Sequence, residues 1–199
     1  MTYVFTKISG LPENQIMGSG TILDTARLRY GLSEHFQVAQ GNIHAYVFGE
    51  HGDTSFIPWT GAYISGLSTD EYYEEMKAHG KDVKPLDKEA MLEYVQKSGG
   101  KVIAKKGATF YAVSATVCQL VGLILAASDS LATVSSMLHG EYGIEDISLS
   151  VPTQVSGYGV ERILDVPFNE TELQGLRSSA KTLKDLSLIH ISEPTRRSY

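Results

Sequence analysis

The segments GSGTILDTARLRY (residues 18–30) and GEHGD (residues 49–53) decide how this chain is read. In the first, a glycine turn feeds a helix that either Thr21 or Asp24 opens and that runs through Arg27 and Tyr30 to about Phe36. Asp24 and Arg27 then share a helix face at i,i+3, whereas Arg29 is rotated by about 200° from Arg27 and faces elsewhere. On spacing alone the first pair is a surface ion pair, worth at most ~1 kcal/mol. The second segment follows a mostly apolar stretch over 43–48 that predicts a strand, so His51 sits in a glycine-flanked loop where a rigid sheet presents a proton donor. Alone, such a histidine is equally well a structural or solvated one. Gly18-Ser19-Gly20 looks like the start of a dinucleotide fingerprint but fails as one. Leu23 stands where the third glycine belongs, and Gln40 and Gly41 stand where the acidic ribose ligand belongs.

Outward from these segments, residues 2–9 predict a helix stopped by Gly10 and Pro12, and 56–64 predict a second strand. Residues 69–98 are charged and amphipathic with a break around Gly80 to Pro85, which predicts two exposed helices. An apolar helix over 110–128 follows and is expected to be buried. Strands are predicted over 131–138, 148–155 and 159–164, with turns at Gly140, Gly143 and Gly157, and a last helix from near Asn169 past Lys184. Strands clustered between helices without regular alternation indicate an α+β arrangement rather than a doubly wound parallel sheet.

The 199 residues, 42% of them hydrophobic, suffice for one good core or two small ones. A net charge of −6 provides no overall basic field for nucleic acid or an anionic membrane. The apolar run at 112–127 is shorter than the ~20 residues a spanning helix needs and is interrupted by Ser114, Thr116 and Gln119. Cys118 is the only cysteine, so no intrachain disulfide forms, and a buried thiol in a reducing cytoplasm is the simplest expectation. The histidines show no metal-ligand spacing.

Together, residues 18–30 and 49–53 resemble the active-site signature of the lactate/malate dehydrogenase family, and of L-lactate dehydrogenases in particular. GATFY (107–111) and LSVP (149–152) match in order and spacing, so the resemblance covers about residues 1–185. It implies that His51 protonates the keto oxygen of pyruvate as hydride arrives from NADH and takes the proton back in the reverse direction, with Asp24 orienting its ring. It implies that Arg27 clamps the substrate carboxylate bidentately and that Thr109 lines the pocket around the substrate's methyl end. Arg29 and His44 match the pair with which bacterial allosteric members bind fructose 1,6-bisphosphate at a subunit interface. The resemblance further implies a cytoplasmic homotetramer.

The resemblance also implies that residues 1–185 are the substrate-binding C-terminal domain of such an enzyme. The nicotinamide-binding half, with its glycine-rich turn, its acidic ribose ligand and the loop that separates lactate from malate, is then lacking. Residues 186–199 depart from the family pattern and read as a non-native, adapter-derived tail, so His190, Arg196 and Arg197 are given no role. A malate or bulkier 2-hydroxy acid enzyme, or a non-catalytic anion-binding module that uses Arg29 and His44, are the other readings.

Overall fold

The computed structural model describes residues 1–192, with side chains to Ser187. Helix α1 (Thr2–Ile8) ends at Ser9, and Gly10 follows at φ +71°. Helix α2 (Ile22–Phe36) closes on a left-handed Gln37. Strand β1 (Ile43–His44) pairs with β2 (Tyr63–Ile64), which turns into β3 (Leu67–Ser68). Ser68 and Glu71 form a reciprocal capping box that starts α3 (Thr69–Ala78). Helix α4 (Lys88–Lys106) begins where the Asp87 side chain accepts from the Ala90 N–H, and it stops at a left-handed Gly107. After α5 (Tyr111–Leu125) come β4 (Ser130–Ala132), β5 (Ser135–His139), β6 (Glu145–Ser150), β7 (Thr153–Ser156), β8 (Gly159–Ile163) and α6 (Glu170–Ser192). The architecture is α+β.

Strands β4 and β5 return antiparallel along β7 and β6 as one interrupted ribbon, in the registers Ala132↔Thr153 and Ser135↔Ser150. Sequence reading predicts unbroken strands over 131–138 and 148–155. The ribbon is interrupted at residues 133–134 and 151–152, and the outward-facing backbone groups beside the interruption pair with other segments. Ser135 exchanges hydrogen bonds with Gly18, Ser150 exchanges them with Gly49, and the Thr133 carbonyl accepts from the Thr21 N–H. The break therefore receives both glycine segments. The strands expected over 43–48 and 56–64 are likewise shorter, since Pro58 and a 3-10 turn at Trp59–Gly61 interrupt the second, and only Phe48 and Phe56 pair beyond β1 and β2.

Leu28, Leu32 and Phe36 on one face of α2 pack with Ile43, Ala45 and Val47, and Val95 of α4 closes that core. A second core joins Leu138, Ile147 and Leu149 of the ribbon to Leu176 and Ala180 of α6. Two expectations are corrected. Helix α5 buries only Thr116 and Leu120, while Tyr111 is 71% and Leu125 80% exposed, because one side packs on the ribbon and the other meets nothing among the described residues. Cys118 on that helix is exposed, not buried. No helix among the described residues is long and apolar enough to cross a membrane.

The final helix runs through residues 186–192, the first part of the expected tail, and 193–199 lie outside the described residues, as do the side chains of His190, Arg196 and Arg197.

Candidate active site

The N-terminal turn of α2 is stitched to the segment that follows β1. Thr21 stands at the N-cap, but its hydroxyl donates to the Val47 carbonyl at 2.5 Å instead of capping the helix. One turn on, the Thr25 hydroxyl accepts from the Val47 N–H at 3.0 Å. These bonds hold the chain entering the histidine loop beside the first turn of α2, where Asp24 lies. Gly20 and Gly49 make the close approach to the ribbon break achievable. A Cβ on Gly20, at φ +53°, would stand 2.5 Å from the Thr133 carbonyl oxygen, and Gly49 adopts φ +95°. Beyond Gly49 the loop folds on itself through Gly52 N–H to Glu50 C=O at 3.0 Å. From α4, the Gln96 side-chain amide donates to the Asp53 and Ser55 carbonyls at 3.0 and 2.9 Å.

The result is a carboxylate shared between an imidazole and a guanidinium. Asp24 Oδ2 lies 2.5 Å from His51 Nδ1, and Oδ1 accepts from Arg27 Nη1 at 3.0 Å. Asp24 is only 4% exposed, whereas 59% of the His51 side chain is open. Asp24 and Arg27 are thus not the surface pair that spacing alone suggests. The first-turn position of Asp24 also sets its charge against the positive end of the helix. The hydrogen bond that His51 donates to Asp24 raises the His51 pKa above the ordinary value; partial burial opposes this, the Asp24 charge adds to it, Arg27 lowers it and Glu50 raises it. With Nδ1 committed to Asp24, Nε2 is the ring atom left for a substrate.

A cavity of about 470 Å³ adjoins the imidazole, lined among others by Gly18, Ser19, Gly49, Ser135, Ser150 and Leu186. Thr109 is not part of it: the residue is exposed in the connection between α4 and α5. Arg29 stands apart from Arg27. Its Nε donates to the Ala45 carbonyl at 3.0 Å and its guanidinium lies 4.8 Å from the Tyr46 ring centroid, in a second cavity with Gln40 and Gln119. His44, one residue before Ala45, is exposed on β1. Sequence reading missed Thr21 and Thr25 as ties and Gln96 as a loop anchor; their partners are distant in the chain, and nothing local marks them. No cluster of metal-binding side chains occurs among the described residues.

Residues 21–189 match the family model described as lactate/malate dehydrogenase, alpha/beta C-terminal domain. The chain belongs to this family. The chain is 46% identical over 186 residues to the L-lactate dehydrogenase of Acetivibrio thermocellus, covering 94% of this chain and 58% of the relative. It is 44% identical to L-lactate dehydrogenase 1 of Clostridium acetobutylicum, with 93% and 58% covered. Among solved structures, the L-lactate dehydrogenase from Clostridium thermocellum superposes with a TM-score of 0.85 at 35% identity, covering 96% of this chain and 61% of that one. A lactate dehydrogenase from a Medee basin deep-sea metagenome library gives a TM-score of 0.87 at 30% identity, with 96% and 60% covered. The chain therefore spans somewhat under two thirds of the length of these relatives.

Proposed function

We propose that this chain supplies the acid/base and substrate-binding groups of an NAD-dependent L-lactate dehydrogenase that interconverts (S)-lactate and pyruvate in the cytoplasm. The observation that carries this reading is the buried Asp24 carboxylate bridging His51 and Arg27. Protonated His51 gives a proton from Nε2 to the keto oxygen of pyruvate and recovers it from the lactate hydroxyl in the reverse direction. Asp24 fixes the ring through Nδ1 and stabilises the imidazolium. The edge of Arg27 turned away from Asp24 takes the substrate carboxylate, a planar fork that positions it bidentately. Thr109, exposed and outside the cavity lining, is kept at the substrate's methyl end on the family resemblance alone.

The nicotinamide cofactor supplies and removes the hydride when bound. The small residues Gly18, Ser19, Gly49 and Ser150 leave the cavity open beside His51, and that is where the proposal puts the nicotinamide ring. The 199 residues contain no G-x-G-x-x-G turn for a pyrophosphate. On its own the chain is expected neither to hold NAD tightly nor to turn over. The test joins residues 1–187 to the nucleotide-binding half of the Acetivibrio relative. Pyruvate-dependent NADH oxidation that His51→Asn abolishes supports the reading; a folded chimera without that activity overturns it.

The proposal extends to a homotetramer with a sugar bisphosphate site at Arg29 and His44. Arg29 is prepaid in this role by its stacking on Tyr46 and its bond to Ala45, which orient a cationic donor toward the second cavity. Fructose 1,6-bisphosphate is expected to raise Tm in the chain and not in Arg29→Gln. An unchanged Tm removes the effector from the proposal.

A further inference from the structure

The histidine loop is anchored from a third side by a residue that the reaction described above does not use. Ser179 on α6 is fully buried, and its hydroxyl spans both ends of the loop that carries His51. It accepts from the Glu50 N–H at 2.8 Å and donates to the Thr54 carbonyl at 2.8 Å. Thr54 Oγ1 lies 3.0 Å from Ser179 Oγ, and the Thr54 hydroxyl donates its proton to the Glu50 carboxylate, which joins the two ends of the loop. The packing is as close as glycine permits, because a Cβ on Gly49 would stand 2.5 Å from Ser179 Oγ.

We propose that Ser179 is a positioning residue for His51: by tying Glu50 and Thr54 to α6 it holds the imidazole against Asp24. The peptide whose N–H Ser179 receives belongs to the residue directly before His51, so the hydroxyl governs where the ring starts. Gln96 holds the far side of the same loop at Asp53 and Ser55. A loop pinned at both ends by a buried hydroxyl and at its far side by an amide has little freedom to carry the ring away from a carboxylate 2.5 Å distant. Removing the hydroxyl leaves the Glu50 N–H and the Thr54 carbonyl without their partner, and the loop relieves this by moving toward water. This inference rests on the reading of His51 and Asp24 as an acid/base pair.

The test titrates His51 by NMR of the ring-labelled full chain, with the resonance assigned through His51→Gln. Asp24, Arg27 and Glu50 are the charged groups facing the ring and are unchanged in the Ser179 variants. In the unaltered chain His51 is expected to titrate above the ordinary value of about 6.5. In Ser179→Ala it falls toward that value, and in Ser179→Cys, which keeps a weaker donor and acceptor, it falls less. A lower Tm in Ser179→Ala with the His51 titration unmoved assigns Ser179 to packing alone and overturns the inference. If Ser179→Ala does not fold, Ser179→Cys decides in the same way. Asp24→Asn separates the two levels of the argument. Should His51 titrate ordinarily in the unaltered chain and stay there in Asp24→Asn, the acid/base pair itself fails; should Asp24→Asn lower it while neither Ser179 variant does, only the role of Ser179 fails.

Discussion

Asp24 touches His51 and Arg27 with different oxygens of one carboxylate, Oδ2 at 2.5 Å from the imidazole Nδ1 and Oδ1 at 3.0 Å from the guanidinium. On the proposed function, proton transfer and carboxylate recognition share an anchor in the first turn of α2. Asp24→Asn keeps the shape and removes the charge. It is expected to lower the His51 pKa, measured by NMR titration, and to lower kcat in the chimera with the nucleotide-binding half by about 100-fold, the order that a positioned general acid contributes.

The same contact makes stability depend on pH. The folded-state pKa of His51 is raised, so folding binds the proton more tightly than the unfolded chain does. Its stabilising contribution is complete below about pH 6.5 and is lost as pH rises through the folded-state value. The Tm difference between the unaltered chain and His51→Gln is expected to shrink between neutral and mildly alkaline pH. A difference that grows with pH reverses the sign and rejects the assignment.

Arg27→Lys retains a positive charge but not the planar fork. In the chimera, kcat/KM for pyruvate is expected to drop by about 10- to 100-fold, following the loss of a charge-assisted hydrogen bond worth about 1.5–3 kcal/mol. Steady-state kinetics over a range of pyruvate concentrations measure this.

Gly49→Ala places a methyl 2.5 Å from Ser179 Oγ at a backbone φ of +95°. A loss of about 3 kcal/mol in urea unfolding is expected, combining a left-handed conformation with the close contact. Glycine at this position is thus required by geometry.

Glu172 is a buried carboxylate that accepts from the Thr60 N–H at 3.0 Å, the Thr60 hydroxyl at 2.7 Å and the Asn169 N–H at 3.1 Å. It caps α6 and ties that helix to the turn before β2. Glu172→Ala is expected to cost about 1–3 kcal/mol, read from urea unfolding. A change of a few tenths instead shows that water replaces it.

Much of the local order was legible. The stop of α1 near Gly10, the extent of α2 to Phe36 and the helix pair after Ser68 with its break before Pro85 follow from residue type and period within a few positions. The burial of α5 was misjudged because its apolar residues surround the helix, and hydropathy registers apolar surface without saying whether a partner covers it. Strand lengths differ from the expectation for a related reason: β propensity marks extended chain, while pairing depends on which distant segment lies alongside it.

For the site, the amino-acid sequence by itself determined the kinds of group present, the helix face shared by Asp24 and Arg27, and the glycine-flanked loop carrying His51. Only the tertiary structure decided that His51 meets Asp24 across 27 residues of chain, that the carboxylate is buried, and that Ser179 reaches Glu50 across 129. Local periodicity specifies which face of an element is apolar and where it starts and stops. Which groups meet is set by the packing of distant segments along the ribbon, whose outward edges at Ser135 and Ser150 pair with Gly18 and Gly49.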